Sequence, residues 1–206
     1  MTAETEGDWM SNSNDRFEMR RFEALSNTIF GVAMVLLAYR FPTTQFPSTP
    51  VWSTIWAVYH PQIIALVLSF VVAGMFWLSH QRRLAYAPHA NRWVIYCNLL
   101  FLLSVVALPI TTGLYATYMF DARDVVVLYC GHLAVMSCLN MILWLLASLP
   151  RGEPDRVAAS TVATIIFVAA TLVASISWQT YAVQLILCSA FVTPVIDTIV
   201  AARYRG

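Results

Sequence analysis

Arg21, Glu23, Ser26, Asn27 and Thr28 crowd the opening of RFEALSNTIFGVAMVLLAYRF, a stretch that is otherwise almost wholly apolar. Side chains of these types, set at the entrance of an apolar helix, can do two things. They can hydrogen-bond that helix to its neighbours, or they can give water and cations a polar mouth. Few other groups break the apolar runs: Trp77 with His80, then His132, then Asp197. Ionisable side chains are costly in hydrocarbon, so they face a bundle interior or a water-filled path. Arg21, Ser26, Asn27, Trp77, His80 and Asp197 fall at similar depth on different apolar segments, so one network can satisfy them all. Left unpaired, each would cost several kcal/mol there. His132 lies alone within its segment and reads as a hydrogen-bonded packing residue.

Catalytic and metal chemistry find no support in the spacing. No paired carboxylates, nucleophile motif or metal-ligand pattern occurs, and no enzyme is expected. Cys97, Cys130, Cys138 and Cys188 each sit inside an apolar run without CxxC or Cys/His spacing. That pattern describes small buried fillers rather than a zinc site or a disulfide framework.

The elements that must carry these residues follow from composition. The chain has 206 residues, 59% of them hydrophobic and 11% charged. A soluble domain carries about 25% charged residues. With a mean hydropathy of +0.67, the chain is expected to be an all-α integral membrane protein in a lipid bilayer. A net charge of +1 gives nucleic acid no basic surface to bind. Spanning helices need roughly 20 apolar residues. Six segments qualify, at about 24–41, 58–79, 93–115, 124–148, 157–176 and 181–201. The link FPTTQFPSTPVWSTIWAVYH is the longest, and its Trp52, Trp56 and Tyr59 read as interfacial anchors.

All twelve basic residues are arginine, and ten of them fall on one side of a six-span topology, leaving Arg40 and Arg123 on the other. By the positive-inside rule both termini are cytoplasmic. The acidic opening MTAETEGDWMSNSND lacks the basic start and short apolar core of a secretory signal. Residues 1–20 therefore read as a cytoplasmic N-terminal segment and 21–206 as a single six-helix domain, without internal repeats.

Along the first span, Thr28, Val32, Val35, Leu36 and Tyr39 recur at helical spacing and form one stripe. Ser26, Gly31, Ala33 and Ala38 are small enough for neighbouring helices to approach closely. Periodicity alone fits ordinary packing against lipid or core.

Three ordered elements resemble the prokaryotic and lysosomal potassium channels related to transmembrane protein 175. Arg21-Phe22-Glu23-Ala24-Leu25-Ser26-Asn27 is similar to that family's R-x-x-A-F-S-D signature. Phe76-Trp77-Leu78-Ser79-His80 looks like its F-W-x-x-H element, and Asn98 to Leu103 with Leu108-Pro109 and Thr111-Thr112 looks like its third span. The resemblance covers roughly the first 115 residues. It implies a cation channel of the plasma membrane, assembled as a homo-oligomer of four six-span chains around a pore lined by the first helix. It implies no cofactor beyond the permeant potassium ion. Carried onto this sequence, Val32, Leu36 and Tyr39 become pore-constriction residues, with Thr28 and Val35 on the same stripe. Arg21, Ser26, Asn27, Trp77 and His80 become a polar network at the cytoplasmic end.

Leu25 stands where the motif has Phe, Asn27 where it has Asp, and Val35 where several relatives carry Thr. Valine has the shape of threonine without its hydroxyl, so weak potassium-over-sodium selectivity is expected. A competing reading is a proton- or cation-coupled transporter using His80 and Asp197 as a relay. Pro109 and Pro194 lie within spans as in such folds, but no repeat accompanies them.

Overall fold

A computed structural model describes residues 21–38, 49–86, 92–118, 122–177, 192–196, 198–200 and 202–203. Residues 1–20, Tyr39, positions 181–191 of the expected last span, and Asp197 lie outside the described residues. Five described helices are long and apolar enough to cross a membrane. They are α1 (Arg21–Ala38), α2 (Trp52–Tyr86), α3 (Arg92–Tyr118), α4 (Arg123–Ser148) and α5 (Ala158–Ser177). Two short 3₁₀ turns, Leu149–Arg151 and Pro154–Val157, join α4 to α5. Residues 192–196 and 198–200, inside the expected sixth span, are also helical.

The long first link needs a correction. Residues 52–57, expected to lie outside the second span, belong to α2, which runs on through Pro61. Proline removes one backbone bond, but its fixed φ is helical. His60 Nδ1 donates to Trp56 O at 3.1 Å, and the two rings stack 6.0 Å apart. At 1.5 Å per residue the 35-residue helix spans about 50 Å, well beyond a hydrocarbon core of about 30 Å.

α4 is the central helix and packs on α2, α3 and α5. Its buried residues Val126, Tyr129, Leu133, Met136, Asn140, Leu143 and Ala147 recur every three or four positions. They meet Phe76, Phe101, Leu108 and Phe167 in one core. The outer faces stay apolar too: Val67, Leu103, Ile165 and Ile176 are all more than half exposed. Large exposed aliphatics on every outer face suit a hydrocarbon solvent and not water.

Candidate functional site

α1 presents two opposite faces. Ser26, Phe30, Ala33 and Leu37 are buried, and the Phe30 ring lies 5.7 Å from His80 on α2 and 6.0 Å from Phe101 on α3. The spacing of those four is that of one helical stripe. On the far side Leu25, Val32, Val35 and Leu36 are 47%, 54%, 67% and 42% exposed. Thr28 is on that exposed side, and its hydroxyl donates back to Ala24 O at 2.9 Å. The hydroxyl of buried Ser26 does the same to Phe22 O at 2.9 Å. Both hydroxyls are satisfied within α1, the habit of Ser and Thr inside helices.

One side chain fixes which face points where. Asn27 Oδ1 accepts from Trp77 Nε1 at 3.0 Å and also from Gln81 Nε2. Trp77 and Gln81 are one helical turn apart on α2, so they form a two-pronged clasp on a single α1 carboxamide. Arg21, the first residue of α1, is exposed.

His80 belongs to a second, buried junction. Its Nε2 lies 3.0 Å from Asn98 Oδ1, and Arg83 Nη2 donates to the same oxygen at 2.8 Å. A carboxamide oxygen only accepts, so Nε2 carries the imidazole proton. Arg83 Nη1 donates to Asn140 Oδ1 at 3.2 Å. Asn140 Nδ2 donates to Ser79 Oγ at 3.0 Å and to Ser160 Oγ at 3.1 Å. Trp144 Nε1 donates to Ser79 Oγ at 2.9 Å. Four helices, α2 to α5, are thereby tied at the end of the bundle where the arginines gather. Among the described residues, His80 Nδ1 and Asn98 Nδ2 make no hydrogen bond.

Sequence reading grouped Asn27, Trp77 and His80 at one level, but it missed the hub. Arg83 is 2% exposed, with Asn98 at 1% and Asn140 at 3%. The signal was present. Arg83 follows His80 by three residues, which places both on one helix face, and Asn140 interrupts an apolar run.

A further polar group lies deeper in the bundle. Ser69 Oγ is 2.8 Å from Tyr129 Oη and accepts from Thr112 Oγ1 at 2.9 Å, with Tyr115 stacked on Tyr129 at 4.6 Å. His132 is the hydrogen-bonded packing residue that was expected. Its Nε2 donates to Ser104 O at 3.1 Å and its Nδ1 lies 2.8 Å from Thr111 Oγ1. Pro109 deprives α3 of one amide donor, the one that would serve Val105 O.

Beyond the membrane-spanning segments, Glu153 accepts from Tyr86 Oη at 3.1 Å and pairs with Arg156 Nε. The hydrogen bond from Arg156 holds the Glu153 carboxyl below the usual carboxylate range. The Arg151 and Arg156 guanidiniums lie over the Tyr86 ring at 4.9 and 4.5 Å. Among the described residues no cluster of His, Cys, Asp and Glu has the makings of a metal site.

The family model described as endosomal/lysosomal potassium channel TMEM175 matches residues 21–109. The chain is 32% identical over 108 residues to a potassium channel of Streptomyces collinus, covering 52% of each sequence. It is 25% identical over 140 residues to a potassium channel of Chamaesiphon minutus, covering 66% of this chain and 68% of that one. The alignment with the Streptomyces relative thus spans about half of that protein's length. The fold is similar to the crystal structure of a lysosomal potassium-selective channel TMEM175 homologue from Chamaesiphon minutus. There the TM-score is 0.74 at 23% identity, over 93% of this chain and 100% of the other. The family resemblance read from the first three spans is therefore shown, in the same stretch of chain that carried it.

Proposed function

We propose, with the TMEM175-type match of residues 21–109 as premise, that this chain is one subunit of a potassium-permeable cation channel of a prokaryotic cell membrane. One observation carries the reading. α1 turns Val32, Val35 and Leu36 away from its own bundle, while Trp77 and Gln81 hold Asn27 on the other helix. Four copies of the chain, each a single six-helix domain over residues 21–206, bring the exposed stripes of α1 to a shared axis. The arginine-rich end, with the segment 1–20, faces the cytoplasm.

Thr28, Val32, Val35, Leu36 and Tyr39 then line the pore, and the bulky members narrow it with apolar atoms. Such a constriction conducts only when wide enough to stay wet, so a small rotation of α1 gates it. Apolar atoms cannot replace a hydration shell, so selectivity for potassium over sodium is weak. Arg21, Ser26, Asn27, Trp77 and His80 act as the cytoplasmic-end support and not as an ion-binding site. No bound cofactor takes part, and the family is one of channels, not of enzymes.

The test is reconstitution of the purified chain in planar bilayers under potassium, sodium and proton gradients. Unitary steps carried by potassium are expected. Val32→Asn and Leu36→Ala, which wet or widen the constriction, should raise the conductance. Unchanged currents for both would remove α1 from the pore. Saturating flux that never resolves into steps would give the transporter reading instead.

A further inference from the structure

Arg83 fixes more than the register of helices. A guanidinium only donates, so the Asn98 atom 2.8 Å from Nη2 is the carboxamide oxygen and not the nitrogen. The same oxygen lies 3.0 Å from His80 Nε2, which makes Nε2 the protonated ring nitrogen. Two atoms are left over by this arrangement. His80 Nδ1 is a bare lone pair that can only accept, and Asn98 Nδ2 carries two N–H groups that can only donate. Both atoms are enclosed by protein and have no hydrogen-bond partner among the described residues. Their side chains are 0% and 1% exposed.

The neighbouring side chains cannot serve them. Phe30 of α1 lies 5.7 Å from the imidazole, and Phe101 of α3 stacks on it at 6.0 Å with the planes 10° apart. Phenyl rings bring no N–H or O–H to Nδ1, and Arg83 has no lone pair to receive Asn98 Nδ2. A buried donor or acceptor that gives up its bond to solvent and finds no replacement destabilises the fold, so native proteins serve such groups with protein or ordered water. The two demands select the ligand. An anion would meet the lone pair of Nδ1, and a cation would meet the N–H groups of Asn98 and the guanidinium of Arg83. Only a molecule that donates and accepts at once suits both, and an enclosed position among packed rings restricts it to the smallest. Nδ1 and Nδ2 belong to planar groups already joined by the 3.0 Å bond, so a molecule of that size is enough to span them.

We propose that one water molecule is held at this junction, donating to His80 Nδ1 and accepting from Asn98 Nδ2. Buried waters of this kind are part of a fold, because they satisfy polar groups that the protein leaves unserved. This one completes the hydrogen bonding of α2 and α3 beside Phe30, the residue through which the buried face of α1 rests on them. The assignment needs neither the pore nor the assembly of four chains. Its readout is the bonding of two nitrogens and not ion flux, so it stands or falls apart from the channel reading.

The full chain, isotope-labelled at carbon and nitrogen, is returned to bilayers of phosphatidylcholine for solid-state magnetic resonance, with His80 and His132 assigned sequentially. A protonated Nε2 and an unprotonated, hydrogen-bonded Nδ1 are expected for His80, with cross-peaks from water protons to Nδ1 and to Asn98 Nδ2. His132 is the internal control. Its ring nitrogens already lie 3.1 Å from Ser104 O and 2.8 Å from Thr111 Oγ1, so it should show no such cross-peak. A high-resolution map should place one solvent atom about 3 Å from both His80 Nδ1 and Asn98 Nδ2. A free lone pair at Nδ1, a proton on Nδ1, or a protein donor bonded to it would each overturn the proposal. Equal water cross-peaks at His80 and His132 would report general wetting of the bundle and overturn it as well. So would a map that shows ordered water elsewhere in the bundle and none here.

Discussion

Arg83 reaches across from α2 to the carboxamide oxygen of Asn98 on α3, 2.8 Å away, with its guanidinium almost wholly buried. His80 donates to the same oxygen, and the second arm of Arg83 reaches Asn140 on α4. One side chain thus sets the register of three helices. Arg83→Ala leaves Asn140 Oδ1 with only the long 3.4 Å contact from Ser79 Oγ and removes half of the Asn98 interaction. Each buried polar group left without its partner costs about 1–3 kcal/mol. A loss of about 2–4 kcal/mol is therefore expected, measured by reversible unfolding in mixed micelles. Arg83→Gln, which keeps an amide donor without a charge to desolvate, should lose less. If the two variants unfold alike, the junction is not held by these hydrogen bonds.

The clasp on Asn27 gives a second expectation. Trp77→Phe removes the indole donor, and Asn27→Leu removes the acceptor. A double-mutant cycle should show coupling of about 0.6 kcal/mol, with about 1.7 as a ceiling for hydrogen bonds between helices in a membrane. Asn27→Asp should keep or strengthen the clasp, because a carboxylate accepts from both Trp77 and Gln81. Additive single effects would show that the 3.0 Å indole contact carries no energy of its own.

Val35, two-thirds exposed on the stripe of α1, tests selectivity. Val35→Thr adds a hydroxyl at nearly constant volume. If the stripe lines the pore, reversal potentials under mixed ions should shift toward higher preference for potassium over sodium. The Thr hydroxyl can also bond back to Gly31 O within the helix, as Thr28 does to Ala24. An unchanged reversal potential would mean that it spends itself there or faces lipid.

On α3, His132→Leu leaves Ser104 O without its side-chain donor, and a loss of about 1 kcal/mol is expected. Unitary conductance should stay as in the parent chain, because His132 is engaged within the bundle by Ser104 and Thr111. A change in conductance with intact assembly would move this histidine into the ion path.

Acid should loosen the α4–α5 turn. Glu153 has a folded-state pKa held below its unfolded value, first by the hydrogen bond from Arg156. A carboxyl of that kind stabilises the folded state above its unfolded pKa, and the stabilisation fades as pH falls through the folded value. The melting difference between the parent chain and Glu153→Gln should therefore be steady near neutrality and vanish in strong acid. A difference that persists after the carboxyl is protonated would mean that the side chain acts through shape and not charge.

The spans were legible because hydrocarbon imposes a length and a polarity that composition records directly. α3, α4 and α5 begin and end within three residues of where apolar runs do. The overhang of α2 was not legible. Residues 52–57 are mixed in polarity, and the prolines before them read as a link, whereas local hydrogen bonding and the helical φ of Pro61 keep the helix going. The motif residues of α1 and α2 were legible as polar exceptions in apolar runs, although His80 bonds in a junction apart from the Asn27 clasp.

Membership of that group was another matter. Arg83 reads as a solvated arginine after a span, because nothing local separates a loop arginine from a buried one. Only the packing of α3 and α4 brings Asn98 and Asn140, 15 and 57 residues along the chain, within reach of its guanidinium. The face of α1 was ambiguous for the same reason. An apolar helix carries apolar stripes all round, and the long-range clasp from Trp77 to Asn27 is what decides which stripe is buried and which is left bare. Sequence by itself thus determined the solvent of each segment and the family that its first half resembles, since these depend on side-chain types taken in order. Tertiary structure decided the partners, since a hydrogen bond depends on a distance that chain order does not encode.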